Sequence, residues 1–185
     1  MTKDQFDQAL AAARAELCNT LDGLNGTVFQ EPTVTSIALT RNCDVDHHLA
    51  NIPSGHKGDA GNTDFVYIIR LAKDAGTSVK ELHSAVEDLR QKIQKKDFCK
   101  INEKHISNTL YVGRSKTLRS RLSQHLGAAS HGVYAMHMQR WVSQNPLKLE
   151  ISYLTFKNES NLLIQAIEDA LWTAEKPAFG KKGGR

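Results

Sequence analysis

The run Asp64-Phe-Val-Tyr-Ile-Ile-Arg-Leu71 constrains this chain more than any other stretch. It is dense in apolar and β-branched side chains and far shorter than the roughly 18 residues of a membrane span, so it reads as a central strand. Three further runs share its character. Thr109-Leu-Tyr-Val112 is a strand ending at Gly113, Leu149 to Phe156 (LEISYLTF) alternates, and Thr33 to Leu39 (TVTSIAL) is β-branched.

Helical segments interleave with these strands. Ser78 and Glu81 fit a capping box that opens a helix reaching about Lys95, with Val79, Leu82, Val86, Leu89 and Ile93 on one face. Thr117 to Leu126 and Asn161 to Ala174 are helical, the latter with Leu162, Leu163, Ala166, Ala170 and Leu171 as apolar positions. Residues 3 to 22 form another helix. Thr2 and Gln5 cap it, Phe6, Leu10, Ala13, Leu17 and Leu21 recur at three- and four-residue steps, and Gly23 and Gly26 punctuate its end. Arg41 to Gly61, with Pro53 and three glycines, reads as a long loop, and KPAFGKKGGR as a basic, glycine-rich tail. The inventory is mixed α and β.

Composition narrows the class. With 40% hydrophobic and 24% charged residues the chain is neither wholly disordered nor collagen-like. No apolar stretch is long enough for a membrane span, and MTKDQFDQAL lacks the apolar run of a signal peptide, so a cytoplasmic protein without membrane partners is expected. Cys18, Cys43 and Cys99 are odd in number and widely spaced, which points to free thiols in a reducing compartment. The formal charge of +4 is weak evidence for a nucleic-acid partner. Its distribution says more. Arg114, Lys116, Arg119 and Arg121 fall between Arg114 and His125 with no acidic residue among them. On a helix starting near Thr117, Arg121 and His125 are four apart and share a face, while Leu118 and Leu122 form the buried stripe. Arg offers permanently charged forked donors to phosphate oxygens, and His can move a proton near neutrality. Spacing alone favours a solvated basic face on an amphipathic helix. Tyr67 and Tyr111 in apolar strands, and Glu168 mid-helix, likewise carry structural readings when taken singly.

Together these residues resemble the GIY-YIG nuclease family. The first name-giving triplet corresponds to Phe65-Val66-Tyr67 and the second to Tyr111-Val112-Gly113. Arg121 follows Tyr111 by ten residues and His125 by fourteen, and YVGRSKTLRSRLSQH is the most specific segment. Glu168 with the proline-containing ending, IEDALWTAEKPAFG, completes the pattern. The chain departs from it twice: Gly180 stands where the family usually has an asparagine, and about forty residues, not a short hairpin, separate Tyr67 from Tyr111.

The resemblance implies an α+β fold, a small antiparallel sheet flanked by helices, with residues 1–62 as an N-terminal helix and loop extension. Residues 63–185 would form the nuclease domain, carrying a helical insertion at about 73–107. It also implies hydrolysis of DNA phosphodiester bonds by an endonuclease, of site-specific, restriction type, assisted by one Mg²⁺ (or Mn²⁺). Glu168 would be the protein's metal ligand, Arg121 would hold a non-bridging oxygen, and Tyr67 or Tyr111 would act as or position the base. His125 would relay the proton or bind phosphate. Arg114, Lys116, Arg119, Lys181 and Lys182 would contact DNA, and specific cutting of both strands would call for a homodimer.

Two other readings stand beside this one. A catalytically inactive nucleic-acid-binding module of the same fold would keep the basic surface, and Gly180 and the altered first triplet favour it. A zinc site built from Cys43, His47, His48 and His56 has suitable residue types without a recognised spacing. Tyr134 and Trp141, a heptad apart, read as core aromatics.

Overall fold

The structure is a computed structural model of the 185-residue chain and describes residues 2–26, 31–55, 63–91, 98–129 and 132–183. The expected central strand, β2 (Thr63–Leu71), is central. It pairs with β3 (Thr109–Ser115) on one side and β4 (Leu147–Lys157) on the other. β1 (Thr33–Leu39) pairs with the far edge of β4, giving an all-antiparallel sheet of order β1-β4-β2-β3. β3 does not stop at Gly113. Gly113 lies opposite Tyr67, and Arg114 and Ser115 continue the ladder against Val66 and Phe65.

Alternation along β2 sends Phe65, Tyr67, Ile69 and Leu71 to the main core. There they meet α3 (Val79–Arg90) through Val79, Leu82 and Val86, and α4 (Leu118–Leu126) through Leu118, Leu122 and Leu126. Each of those three α4 leucines has no exposed surface, and each contributes about 1.5–3 kcal/mol of burial. The leucines therefore fix how α4 is rolled, and with it where Arg121 and His125 point. α5 (Asn161–Glu175) packs against β3 and β2, with Leu163 and Ile164 buried.

The capping box at Ser78 and Glu81 is present, and α3 is described to Arg90. Ile93 and the expected helical continuation lie among residues 92–97, outside the described residues. The segment after them returns to the core, where Phe98 bridges Ala135 and Ile101 bridges Phe179. From the N-terminal third, Ile37, Leu39, Val45, Leu49 and Ile52 enter the core, and the described part of the long loop holds a helical turn, α2 (Val45–His48), capped by Asp44. The helix α1 (Lys3–Gly26) runs through Gly23 to Gly26. A Cβ on Gly23 would lie 3.3 Å from Leu163, so its close packing on α5 offsets the cost of glycine within a helix. The Tyr134–Trp141 stretch forms only a 3₁₀ turn, Met138–Arg140. No described helix is long and apolar enough to cross a membrane.

Candidate active site

The pairing of β2 with β3 sets the first two site residues. Tyr67 is opposite Gly113, and Tyr111, two positions back, is its diagonal neighbour on the same face. Their rings lie nearly parallel, 6.2 Å apart. Gly113 is required here by close approach. A Cβ would stand 2.7 Å from the Tyr111 ring and 2.8 Å from the Tyr67 hydroxyl.

α4 delivers Arg121 and His125 to this pair. His125 is fully buried, and its Nε2 lies 3.1 Å from the Tyr67 hydroxyl. The backbone N–H of Met136 donates to His125 Nδ1 at 3.3 Å. Nδ1 is thus an acceptor, and the neutral ring carries its proton on Nε2, so Nε2–H donates to Tyr67 Oη. Burial, then Arg121 and His137, hold His125 well below the ordinary histidine range. It is a fixed hydrogen-bond donor at neutral pH.

The Arg121 guanidinium is held by the Tyr134 carbonyl at 2.8 Å, Gln124 Oε1 at 2.9 Å and the Tyr111 hydroxyl at 3.4 Å. Burial raises the pKa of both phenols, that of Tyr111 up to about 12, while Arg121 works against the rise.

α5 brings Glu168 to the same place although it follows Tyr111 by almost sixty residues. Glu168 is 7% exposed, 3.6 Å from Arg114 Nε, and accepts from Gln165 at 3.3 Å. Burial, with some help from Asp169, pushes its carboxyl up to about 7, against the pull of Arg114. Asp169 itself turns to the backbone N–H of Gly183. The result is a cleft of about 240 Å³ lined by Tyr67, Tyr111, Gly113, Arg114, Arg121, Tyr134, Glu168 and Lys181. Three cations and one carboxylate converge on it, an arrangement suited to a phosphodiester. A larger hollow of about 960 Å³ lies between α4 and the 43–55 segment and gathers no comparable set.

The donors present fit a hard divalent cation. Glu168 offers carboxylate oxygens at the cleft wall, and no group of three His, Cys, Asp or Glu gathers among the described residues. One carboxylate beside open space suits Mg²⁺ or Mn²⁺, which keep most of their waters; it does not suit a cage made wholly of protein ligands. The zinc reading finds no support among the described residues, since Cys43 sits against Gln139 and His56 lies outside them.

The remaining candidates are dispersed. Lys181 lines the cleft with its ammonium 5.4 Å over the Tyr134 ring. Arg114 also donates to the Asn161 carbonyl at the start of α5. Lys116 pairs with buried Asp64 at 3.8 Å, and Lys182 is exposed on the tail. Arg119 points away. It donates to the carbonyls of Ile52 and Ala50, tying the loop to α4.

Two residues carry more of the site than sequence reasoning gave them. Tyr134, read as a core aromatic, lines the cleft and anchors Arg121 through its carbonyl, while Trp141 is the core partner. Asn102, from the insertion, is 8% exposed and donates through Nδ2 to the carbonyls of Pro177 at 2.9 Å and Gly180 at 3.2 Å. It thereby holds the C-terminal ending beside Tyr111. Gly180 has a φ of +98°, and a Cβ there would come within 2.8 Å of the Tyr111 ring. This geometry excludes a larger residue at 180, and Asn102 supplies the bracing from another element. Asn102→Ala is expected to leave two carbonyls without that donor and cost about 1–3 kcal/mol in urea unfolding, with weaker cleavage as the ending loosens.

The altered first triplet has a packing reason. Phe65 and Val66 are both buried, and the Phe65 ring meets Tyr153 edge-on at 6.2 Å. Among known families, the model of the GIY-YIG catalytic domain fits residues 65–143. No curated protein and no solved structure matches the chain. The matched segment carries Tyr67, Tyr111, Arg121 and His125, and α5 adds Glu168 from beyond it. With both motif strands paired side by side and this cleft beside them, residues 65–143 of the chain form a segment similar to the GIY-YIG catalytic domain.

Proposed function

We propose that this protein is a divalent-metal-dependent DNA endonuclease that hydrolyses phosphodiester bonds at the Tyr67–Arg121–Glu168 cleft. The observation that carries the reading is the convergence of Glu168 with three cations and two stacked tyrosines in one small cleft. Binding alone does not call for a buried carboxylate facing the place where a phosphate would sit.

The residues divide the work. Arg121, its fork set by Tyr134 and Gln124, holds a non-bridging oxygen and offsets the charge that grows on phosphorus. Lys181 and Arg114 attract the backbone and position it. Glu168 would hold Mg²⁺ (or Mn²⁺), which when bound supplies positive charge beside the phosphate and favours ionised oxygens in the cleft. Tyr67 is assigned as the proton acceptor in preference to Tyr111. Its oxygen accepts the His125 N–H, which stabilises the phenolate that must form, its proton released to solvent, before Tyr67 can accept one; Arg121 and a bound cation would favour that form against burial. His125 acts by donation to Tyr67. Site-specific cutting of both strands would need two such clefts, and the intracellular, cytoplasmic setting expected from the sequence agrees with a DNA substrate.

The test is cleavage of supercoiled plasmid with and without Mg²⁺ by the wild type, Glu168→Gln and Arg121→Ala. Metal-dependent discrete bands from the wild type, lost in both variants, are expected. A smear lost in the same variants would keep the chemistry and remove the site-specific subtype. Retained DNA binding without cutting by any of the three would favour the inactive binding module.

A further inference from the structure

The helix α1 is out of keeping with the rest of the chain. Among its residues of described burial only Thr20 is buried, although the helix carries a full apolar stripe. Phe6 is 52% exposed, Leu10 39% and Leu17 61%, with Ala13 exposed between them. The steps 6, 10, 13, 17, 20 alternate four and three, the 3.5-residue repeat of a two-helix seam and not the 3.6 of a helix lying on a sheet. The seam continues into the molecule at its lower end, where Thr20 is buried and Gly23 packs on Leu163 of α5. Above Thr20 the stretch from Phe6 to Leu17 is uncovered, and below it Leu21 and Leu24 are exposed too, at 57% and 40%.

We propose that a second copy of this chain covers that stretch, with the two α1 helices antiparallel about a two-fold axis between residues 11 and 12. The layers are then Phe6 on the partner's Leu17 and Leu10 on the partner's Ala13, each occurring twice. Charge selects this register. Asp7 and Arg14 flank the seam on the same edge, one heptad apart, and both are exposed. Neither takes part in an ion pair among the described residues. In the antiparallel arrangement Asp7 faces the partner's Arg14, and Arg14 faces the partner's Asp7, so two ion pairs close the seam. Sliding one helix by a heptad sets Arg14 against its own copy and Glu16 against its own copy, and pushes the partner onto Thr20, which the molecule already covers. A parallel pair places no opposite charges across the seam.

The helix is a poor match to the substrate as an occupant. Lys3 and Arg14 stand against Asp4, Asp7, Glu16 and Asp22, so its net charge is negative and a polyanion is repelled. This inference is independent of the nuclease reading, because it concerns a face that carries none of the cleft residues.

Sedimentation equilibrium of the full chain over micromolar concentrations tests it, with circular dichroism as a check on folding. A wild-type dimer is expected, with Leu10→Asp/Leu17→Asp reduced to monomer. Asp7→Arg alone should weaken association on the order of tenfold, and Asp7→Arg/Arg14→Asp should restore it, since the pair is rebuilt with its signs exchanged. A monomeric wild type, or a dimer indifferent to Asp7→Arg or not recovered in the double exchange, would overturn the proposal. Both charge variants lie on an exposed face, so a folding defect is not expected to mask the result. Plasmid cleavage by the monomeric variant separates the two proposals: nicking without linearisation keeps the cleft chemistry, whatever the outcome for α1.

Discussion

Glu168→Gln is expected to abolish plasmid cleavage, by about a thousandfold or more, while making the protein more stable above pH 7. The two effects share one cause. Burial lifts the Glu168 carboxyl from its ordinary range to about 7, so the folded protein prefers the protonated form. The folded state then binds a proton more tightly than the unfolded chain does. Stability is unaffected below about pH 4.5, falls as pH rises from there through about 7, and carries the full cost above that. After allowance for screening by cleft water, the cost is about 2 kcal/mol. Gln keeps the shape and removes the charge, so urea unfolding without divalent cations should show the gain at pH 8 and none at pH 4. Added Mg²⁺ should stabilise the wild type more at pH 8 than at pH 6, and leave the variant unchanged. Equal stability of the two proteins at pH 8 would show that Arg114 fully compensates the buried charge.

Tyr67→Phe is expected to lower kcat by about 10²–10⁴, the range of a lost acid–base group, with little change in KM. Tyr111→Phe should cost much less. Tyr111 contacts Arg121 only at 3.4 Å and takes no hydrogen bond from His125, whose ring lies tilted beside it at 4.1 Å. The tyrosines therefore differ by connection and not by burial, since both are buried. His125→Gln retains a donor at roughly the same place and should keep more activity than His125→Ala, because His125 supplies a hydrogen bond and not a titrating proton. A larger loss in Tyr111→Phe than in Tyr67→Phe would reverse the assignment of the proton acceptor.

Much of this architecture is local in origin and so was legible along the chain. The β-branched run at 64–71 packs from both sides wherever it is placed, and the capping box at Ser78 closes within three residues. The four-residue step from Arg121 to His125 on a leucine-striped helix likewise follows from helix geometry alone. Residues whose meaning depends on distant partners were not legible in this way. Nothing near Asn102 signals that its amide reaches carbonyls more than seventy residues away. Tyr134 resembles Trp141 in sequence, yet one faces the cleft and the other the core, because the chain between them turns sharply at His137, in the left-handed region. Arg119, read with the basic cluster, is spent on loop carbonyls.

Periodicity and capping act over a few residues, so the strands and helix faces were readable along the chain, and the resemblance to a family pattern pointed to five residues on them. Tertiary structure alone decided which of those residues meet. Sheet register set Tyr67 across from Gly113, and the packing of α5 carried Glu168 into the cleft, where burial sets its proton affinity. The Met136 amide chose the histidine tautomer and thereby distinguished one tyrosine from the other. Register, burial and hydrogen-bond direction are properties of contacts between segments far apart in the chain, and they exist only once those segments have packed.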